Sequence, residues 1–571
     1  MRNTSIFLPL ILILISCSDK NNAYIDIPKN SQVEDLINHS EEFQKKLITY
    51  DTPGGKIHFA IGFGIANSIM VEGEGGNIII DASDSTFEAE QIYSLFKKEN
   101  SNPIKAIIYT HNHGDHTFGA AYYLTTQSEK PKVIAHEETD YYVQRIMGIL
   151  NPIITERSSR MFGTFLSNED LINVGIGPRL SVSKSPGGYL KPDLTFSDEL
   201  TINIAGIEIE MFHAPGETND QIFVWLPNHK SLMPGDNIYK TFPNLYTIRG
   251  TTHRDVIGWV DSIDKMKSFE PEYLFPSHTL PIEGKAQIKS IFTTYRDAIQ
   301  YIHDQTIRLM NEGYYPDQIV EMIKLPETIS SSPYLNEFYG TIRWSVKSIF
   351  NGYLGWFNGN PAELDPLSRK EKAIRISKLA GGNDILVKKL KKAVENEDMQ
   401  WALELSDYLI ALDFFNEEVK KYRQEALIFI GSRSSNPNKR NYFLTSALEL
   451  EDGFKKPNVL NINEGLLSQI STNTLFSVLS VRFNPFNHDG SSFKVCFNFD
   501  SGLTKSIHLR NDVAVVGDDI TEDCDLVVQT SEIEFKRVLT GMKSPVTAIA
   551  SGTLSVDKGN TKFLQFLNKF R

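Results

Sequence analysis

Residues 104–116 are Ile104-Lys105-Ala106-Ile107-Ile108-Tyr109-Thr110-His111-Asn112-His113-Gly114-Asp115-His116. This stretch indicates both the fold and the chemistry of the chain. Its first six residues are apolar except for Lys105, which is typical of a strand. Four potential metal ligands follow within six residues, namely His111, His113, Asp115 and His116. Neutral imidazoles and a carboxylate are ligands that Zn²⁺ accepts. Because a loop can turn its backbone, we expect the first two ligands to face one metal ion and the last two to face a second.

The segments before this motif predict a layered α/β domain. Lys56 to Asp81 has the pattern of strand, turn and strand, and it ends in the unbroken apolar run Ile78 to Ile80, which is typical of a strand buried on both faces. Phe87 to Lys97 has a helical pattern, and the strand Ile104 to Tyr109 follows. This order of strand, strand, helix and strand favours helices layered on a sheet.

The composition excludes several classes of protein. The chain has 571 residues, 41% of them hydrophobic and 23% charged, which is too apolar for a disordered chain. At about 100–200 residues per domain, this length predicts several domains. The formal net charge is −13 without a long basic block, which argues against nucleic acid as a partner. With three cysteines in all, we expect no disulfide framework.

The N-terminus has the pattern of an export signal. Met1 and Arg2 precede an apolar stretch from Ile6 to Ile15, which is too short to remain as a membrane-spanning helix. The next residues complete Leu14-Ile15-Ser16-Cys17, which resembles the bacterial lipoprotein lipobox. This resemblance implies cleavage before a lipidated Cys17 and a periplasmic or cell-surface lipoprotein anchored in a membrane. The alternative is a plain secretory signal with Cys17 incidental.

The last half of the chain predicts two further domains. Beyond about residue 290, amphipathic helical windows dominate, and Met399 to Leu412 and Asn416 to Ile430 are interpreted as an antiparallel helix pair followed by a loop from Gly431 to Lys439. Beyond about residue 456, short strands and two helices predict a small α+β domain. The predicted strands are Val478 to Asn484, Phe493 to Phe499, Lys505 to Leu509, Asp512 to Val516 and Leu526 to Thr530, and the predicted helices lie around Ser531 to Thr540 and Phe563 to Phe570.

The motif His-x-His-x-Asp-His at a strand end resembles the hallmark of the metallo-β-lactamase superfamily. Asp81, after its apolar strand, resembles the upstream aspartate of that family. In the stretch His213 to Thr218, Glu217 takes the position where the family usually has a histidine in a Pro-Gly-His-Thr-like turn. Together with Leu232 to Asn237 and Asn244 to Gly250, this substitution resembles the zinc-dependent alkyl sulfatases.

That resemblance implies two zinc ions per chain, bound by seven residues. The first zinc would be held by His111, His113 and Glu217, the second by Asp115, His116 and His278, with Asp236 bridging both. Two positions depart from the branch, which more often has Glu at position 236 and a second His at the position of Thr279. Asp is one methylene shorter than Glu, so the metal spacing at position 236 can differ.

The implied activity is hydrolysis of alkyl sulfate esters, such as dodecyl sulfate, to an alcohol and inorganic sulfate by a zinc-activated water. The catalytic residues implied are Arg249, Tyr353 and Asp115, and the first two would also bind the substrate. The planar guanidinium of Arg249 can contact two sulfate oxygens at once. A structural arginine and a core tyrosine are the alternatives for these two positions.

The resemblance extends over about residues 55 to 571. It implies three domains and a homodimer. It includes Tyr353 to Pro361 at the entrance to the helical region and the tail Ala548 to Ser555, which resembles a sterol-carrier-protein-2-like domain. The fold expected is a metallo-β-lactamase αββα sandwich, an all-α domain of the dimerisation type and a C-terminal α+β sterol-carrier-like domain. The boundaries expected are 1–16 signal peptide, 17–54 tether and extension, 55–290 catalytic domain, 291–455 helical domain and 456–571 C-terminal domain.

Two other functions stay open from the sequence. The first is another metallo-β-lactamase-fold hydrolase that acts on a lactone, lactam, thioester or phosphoester. Glu217, Arg249 and the two appended domains argue against it, since a minimal lactamase needs none of them. The second is an exported lipid-binding lipoprotein with a structural zinc site. A set of seven ligands argues against that, because structural zinc sites close with four.

Overall fold

The computed structural model describes residues 23–180, 187–456, 463–518, 523–557 and 559–570. The predicted signal segment and Cys17 lie outside these residues. The described residues fall into two compact units. The first contains 23–146 and 150–456, and the second contains 463–570 together with 147–149.

Two mixed sheets form the centre of the first unit. Among the described residues, the first sheet has seven strands in chain order, and the second has six in the reverse order. The strands of the first sheet are β1 (Lys46–Thr52), β2 (Gly55–Ile61), β3 (Ser68–Gly73), β4 (Gly76–Ile80), β5 (Ile104–Ile108), β6 (Lys132–His136) and β7 (Leu194–Phe196). The strands of the second are β8 (Glu199–Ile204), β9 (Ile207–His213), β10 (Ile222–Leu226), β11 (Ser231–Met233), β12 (Tyr273–Leu274) and β13 (Ile282–Glu283).

The helices of this part of the chain lie between and after the strands. They are α1 (Glu34–His39), α2 (Thr86–Glu99), α3 (Gly114–Thr117), α4 (Ala121–Thr126), α5 (Thr139–Met147), α6 (Asn151–Met161), α7 (Val256–Ser268) and α8 (Lys285–Asn311). The remaining helices of the first unit are α9 (Pro316–Met322), α10 (Glu327–Ser330), α11 (Ile342–Leu354), α12 (Arg369–Ala380), α13 (Asn383–Glu395), α14 (Met399–Ala411), α15 (Glu417–Arg433) and α16 (Pro437–Leu448). Throughout the described ranges, no helix combines the length and apolar character that a membrane span requires.

The two sheets pack face to face because side chains alternate between the faces of each strand. On β2, the alternate residues Ile57, Phe59 and Ile61 enter one buried apolar cluster. Ile209 and Met211, alternate residues of β9 in the other sheet, belong to the same cluster. The inner faces of both sheets therefore form one core.

Helices cover the outer faces of the sheets. Phe223 of β10 and Leu232 of β11 share a buried cluster with Trp259 of α7 and Tyr295 of α8. On the side of the first sheet, Tyr93 of α2 contacts the aromatic rings of α4. All five residues of β4 are buried, as the unbroken apolar run predicts. The αββα sandwich expected from the sequence is therefore present.

The sheet begins earlier than the sequence pattern indicates. Residues 17–54 were expected to be a tether and an extension, but β1 lies in this range and pairs antiparallel with β2 from Lys46↔Ile61 to Thr52↔Gly55. Leu36 and Phe43, which precede β1, are buried as well. The segment from about residue 33 onward is therefore part of the folded unit.

The helical region differs from its prediction at both ends. A boundary at 290/291 would fall inside α8, a continuous helix of 27 residues. The predicted helix pair is present as α14 and α15. The loop expected from Gly431 to Lys439 is shorter, because α15 continues to Arg433 and α16 begins at Pro437 with Asn436 as its N-cap. Proline suits the first helical position, so it marks a helix start here and not a loop.

The second unit has a five-stranded sheet in its described residues, in the order β16-β15-β14-β17-β18. Its elements are α17 (Glu464–Gln469), α18 (Thr472–Arg482), β14 (Phe493–Phe499), β15 (Thr504–Arg510), β16 (Val513–Gly517), β17 (Leu526–Thr530), α19 (Glu532–Leu539), α20 (Pro545–Ala550), β18 (Leu554–Val556) and α21 (Asn560–Asn568). The predicted strand Val478 to Asn484 is wrong, since most of it belongs to α18. A disulfide joins Cys496 to Cys524, a single bridge that the count of three cysteines did not predict.

Candidate metal centre

Six side chains form two groups that can each hold a metal ion. Within the described residues, the first group is His111, His113 and Asp236, and the second is Asp115, His116 and His278. In each group the ligand atoms lie within 4.8 Å of one another. The ligands come from the loop after β5, the short helix α3 and the loops after β11 and β12, all at one edge of the sandwich. This edge is where the carboxyl ends of β5, β11 and β12 meet.

The first group is defined by two imidazoles that face each other. His111 Nε2 lies 2.8 Å from His113 Nδ1 and 3.7 Å from Asp236 Oδ2. The other nitrogen of His111, Nδ1, lies 3.1 Å from the Thr110 hydroxyl. His111 therefore presents Nε2, and His113 presents Nδ1, to a common point.

The second group brings one carboxylate together with two imidazoles. Asp115 Oδ2 lies 3.4 Å from His116 Nε2 and 3.6 Å from His278 Nε2. The Nδ1 atom of His278 faces the carbonyl oxygens of Ile65 and Ile176 at 3.0 and 3.1 Å. Those carbonyls accept a hydrogen bond from Nδ1, so the Nε2 lone pair faces the carboxylates.

Asp236 lies between the two groups. Its Oδ2 is 3.7 Å from His111 Nε2 and 3.1 Å from His278 Nε2, and its Oδ1 is 3.5 Å from His116 Nε2. The side chain is almost wholly buried. One carboxylate thus reaches histidines of both groups, which is the position expected of a bridging ligand.

Asp81 orients the second group through its contact with His116. It lies directly after β4 with a left-handed φ of 58°. Its carboxylate accepts hydrogen bonds from the Thr110 amide and hydroxyl at 2.9 Å each and from the Ser277 hydroxyl at 2.7 Å. His116 Nδ1 also lies 2.7 Å from this carboxylate. With Nδ1 donating to Asp81, His116 keeps the Nε2 lone pair for a metal.

Two buried atoms show that these residues fit a metal ion. In the described part of the chain, His116 Nε2 and Asp236 Oδ1 are buried without a hydrogen-bond partner. Buried polar atoms are normally paired, and an unpaired one requires an explanation such as an ion. Imidazole and carboxylate donors are the set that borderline divalent ions such as zinc accept.

Neighbouring groups in the cluster shift each other's pKa values. Burial alone would raise the pKa of the Asp236 carboxyl, but the adjacent His278, His116 and His111 hold it well below its usual range. Burial likewise opposes protonation of His116, but Asp236 and Asp115 outweigh it and raise the pKa of this imidazole well above its usual value. Burial, followed by the effect of His116, lowers the pKa of His111 to about 4.

Glu217, expected as a ligand of the first metal, is not a member of either group. It is 1% exposed and pairs with the equally buried Arg254, whose Nη2 lies 2.8 Å from Glu217 Oε1. The Tyr239 hydroxyl donates to the other oxygen at 3.2 Å. Burial raises the pKa of this carboxyl against the opposing effect of Arg254. Sequence reasoning missed Arg254, although an arginine five residues after Arg249 is visible in Arg-Gly-Thr-Thr-His-Arg.

The structure brings Arg249 to the first metal group but does not bring Tyr353 there. Arg249 Nη2 lies 2.9 Å from His113 Nε2, and Nη1 donates to the Thr247 hydroxyl at 3.1 Å. The Tyr353 side chain is 55% exposed at the end of α11, and its hydroxyl lies 2.7 Å from His303 Nε2. Of the two residues expected to bind substrate, only Arg249 contacts a residue of the buried metal cluster.

Three family models match successive parts of this chain. Residues 61–278 match the metallo-β-lactamase superfamily, residues 315–453 match the alkyl sulfatase dimerisation domain, and residues 461–571 match the alkyl sulfatase C-terminal domain. The first match contains all the residues of both metal groups.

Individual proteins resemble the chain over most of its length. A linear primary-alkylsulfatase of Pseudomonas sp. (strain ATCC 19151) is 33% identical over 518 residues, which cover 88% of this chain and 98% of the relative. An (R)-specific secondary-alkylsulfatase of Pseudomonas sp. is 25% identical and covers 90% of this chain and 79% of the relative. The solved structure of the stereoselective inverting sec-alkylsulfatase Pisa1 from Pseudomonas sp. superposes with a TM-score of 0.85 at 22% identity, covering 95% of this chain and 88% of that one.

Proposed function

This chain belongs to the alkyl sulfatase family of the metallo-β-lactamase superfamily, and we propose that it hydrolyses alkyl sulfate esters to an alcohol and inorganic sulfate. The observation that carries the proposal is the pair of largely buried histidine and carboxylate groups around Asp236, with Arg249 in contact with the partly buried His113. Dodecyl sulfate is the representative substrate. An anionic head group and a long apolar tail are the features that such a substrate offers for recognition.

The metal proposed is zinc, with two ions per chain. His111, His113 and Asp236 would hold the first, and Asp115, His116, His278 and Asp236 would hold the second. We also propose Glu217 as a ligand of the first zinc. Each carboxylate oxygen has two lone pairs, and the ion pair with Arg254 leaves some of them available to a metal ion. When bound, zinc supplies positive charge and lowers the pKa of a coordinated water to about 7.

Arg249 would bind the sulfate group. A sulfate monoester is an anion, and its hydrolysis moves further negative charge onto the departing oxygen or sulfate. The Arg249 guanidinium lies next to the first metal group and can donate two parallel hydrogen bonds to neighbouring sulfate oxygens. Tyr353 remains a predicted second contact to the sulfate, and its bond to His303 holds the hydroxyl near the end of α11.

The remaining residues of the centre determine which imidazole nitrogen carries the proton and how each ring is oriented. Asp81 keeps the His116 proton on Nδ1, and the carbonyls of Ile65 and Ile176 do the same for His278. Each imidazole is thereby held with its Nε2 lone pair toward the cluster. The surrounding burial keeps bulk water from competing with these contacts.

The experiment that tests this function compares substrate classes under one condition. The protein, loaded with zinc, is incubated with dodecyl sulfate, dodecyl phosphate, a fatty-acid lactone and a β-lactam, and product release is measured for each. We expect release from dodecyl sulfate alone, and we expect Arg249→Ala to lose most of it. Arg249→Lys should recover part of the binding, because it restores the charge without the planar fork. Release from another class, with none from any alkyl sulfate, would overturn the proposal.

We also propose a homodimer that forms through the helical region. Several large apolar side chains between α11 and the end of α12 are more than half exposed, and they lie within the range that matches the dimerisation domain. They are Tyr353, Leu354, Trp356, Leu364 and Leu379. Sedimentation analysis of the wild-type protein and of Trp356→Glu tests this, since a dimer that uses this surface should dissociate in the variant.

Export and a lipid anchor at Cys17 complete the proposal. The sequence pattern from Met1 to Cys17 supports it, and the disulfide between Cys496 and Cys524 suits an oxidising compartment. Mass spectrometry of the mature N-terminus would detect a lipidated Cys17. The likeness of the C-terminal unit to sterol-carrier domains stays a prediction. Measuring the binding of a fluorescent fatty-acid probe to the whole protein would test it.

A further inference from the structure

Helix α6 lies against the turn that carries Arg249. This turn comprises Thr247 to Gly250 and is closed by a hydrogen bond from the Gly250 amide to the Thr247 carbonyl at 3.0 Å. Gly250 has a left-handed φ of 107°, and a Cβ placed on it would lie 3.3 Å from Ile154 Cδ1 of α6. The turn therefore fits closely on the helix.

Arg157 of α6 makes the strongest polar contact with this turn. Its Nε and Nη2 atoms both donate to the carbonyl oxygen of Ile248, at 3.0 and 2.6 Å. A charged guanidinium that donates two hydrogen bonds to one oxygen fixes the direction of that carbonyl. Ile248 is the residue immediately before Arg249, so the same peptide plane sets the direction in which the Arg249 side chain leaves the backbone.

The end of α6 supports the Arg249 side chain itself. The Thr247 hydroxyl, which accepts a hydrogen bond from Arg249 Nη1, lies 3.3 Å from the Met161 sulfur at the last position of the helix. The Arg249 guanidinium lies 5.9 Å from the centre of the Phe162 ring. Met161 and Phe162 are buried in one apolar cluster against which Ile248 packs. Backbone and side chain of residue 249 are thus both supported from α6.

A second arginine of α6, Arg160, binds other partners. Arg160 donates from Nε to both carboxylate oxygens of Glu449, at 3.1 and 2.9 Å, just after α16. Its Nη2 lies 2.9 Å from Glu156 on the same helix. The two arginines lie three residues apart on one helix and are partly buried, but they bind different partners.

We propose that Arg157 is a positioning residue for Arg249, which holds the turn from Thr247 to Gly250 so that the Arg249 guanidinium is directed at the sulfate group of the substrate. The inference rests on the proposed function, because it takes Arg249 as the residue that binds sulfate. Arg157 does not contact the metal groups, so its loss should impair anion binding without loss of metal.

The test compares Arg157→Met with Arg160→Met, which removes the same type of residue from the same helix. For both variants, KM and kcat are measured with dodecyl sulfate, the inhibition constant is measured with inorganic sulfate, and zinc content and thermal unfolding are recorded. We expect Arg157→Met to raise KM and the sulfate inhibition constant about 10-fold, since misplacement of a binding group by an ångström is costly. Arg160→Met should leave both within about 2-fold, whatever its effect on stability.

Two further variants separate positioning from a general structural effect. Arg157→Lys keeps the charge but not the two-pronged contact, so it should raise KM about 3-fold, between the wild type and Arg157→Met; if Arg157→Met does not fold, this increase carries the test, and a wild-type KM in Arg157→Lys would count against the inference. In an Arg249→Ala background, Arg157→Met should add no further increase in KM, because the group it positions is gone. An unchanged KM in folded Arg157→Met, or a full additional effect in the Arg249→Ala background, would overturn the inference. Wild-type KM in Arg249→Ala would instead contradict the proposed role of Arg249.

Discussion

The Asp81 carboxylate accepts hydrogen bonds from three residues, Thr110 and His116 in the segment after β5 and Ser277 in the loop after β12. None of these contacts is local in sequence, so the carboxylate joins the loop after β4 to the loops that carry the metal ligands. Loss of such a partner typically lowers metal affinity by about 10- to 100-fold.

Asp81→Asn should weaken zinc binding in the second group by about 10-fold or more, since the amide cannot accept from every one of these donors. The measurement is a zinc titration against a competing chelator. Asp264→Asn is the matched control, because Asp264 pairs with Arg296 and Lys267 away from the metal groups. Equal zinc affinity in Asp81→Asn and the control would show that Asp81 does not orient the site.

Glu217→Gln should reduce the zinc content from two ions per chain to one. It should also destabilise the fold by about 3–5 kcal/mol, because it leaves Arg254 buried without its counter-charge. Removing both charges, in Glu217→Gln with Arg254→Met, should restore part of the stability but not the zinc. Metal analysis and thermal unfolding of the three proteins separate the two effects, and a double variant with two zinc ions would exclude Glu217 as a ligand.

The ligands differ in how far the sequence could reveal them. His111 to His116 are adjacent in the chain, so their spacing alone predicts a metal site, and the structure brings them together. Asp236 and His278 are isolated in sequence and were found only through the family resemblance. Arg254 was missed because its partner is 37 positions away and no local pattern marks a buried ion pair.

Asn436 joins the start of α16 to residues 337–339, which precede α11. Its side-chain oxygen caps α16 by accepting from the Lys439 amide, and its side-chain nitrogen donates to the carbonyls of Glu337 and Tyr339 at 2.7 and 3.1 Å. Asn416 caps α15 by accepting from the Val419 amide. The two asparagines share the capping role, and the two further hydrogen bonds distinguish Asn436.

Asn416→Ala should therefore lower the free energy of unfolding by about 1 kcal/mol, the usual cost of losing an N-cap. Asn436→Ala should lower it by about 2 kcal/mol, because the Glu337 carbonyl also loses the Asn436 donor and the Tyr339 carbonyl keeps only the hydrogen bond from Asn438. Denaturant unfolding measures both values. Equal losses would mean that the link from α16 to residues 337–339 contributes nothing to stability.

Sequence patterns mispredicted α18 and β1 for different reasons. In α18, Leu475, Phe476 and Leu479 are buried at helical spacing while Val481 is exposed, but the valines of this segment also suit a strand. Strand β1 was missed because most of its residues are only partly buried at the edge of the sheet. The strands β4 and β5 were predictable, because each ends in three consecutive buried apolar residues, Ile78 to Ile80 and Ala106 to Ile108.

For the whole molecule, the disulfide should stabilise the C-terminal unit alone. Cys496 and Cys524 are 28 positions apart, and closing a loop of that length stabilises a fold by about 3–4 kcal/mol. Replacing both cysteines by serine should lower the unfolding temperature of the C-terminal unit and leave the zinc content unchanged. Calorimetry together with metal analysis checks this, and a loss of zinc in the variant would contradict it.

On the proposed function, two zinc ions held by the two groups around Asp236 enable this chain to hydrolyse alkyl sulfates. The measurement that tests it most directly is a titration of zinc into chelator-treated protein, with sulfate release from dodecyl sulfate followed at each step. We expect no release without metal and a rate that rises until about two zinc ions per chain are bound. Full release from the metal-free protein, or none from the zinc-saturated protein, would contradict it.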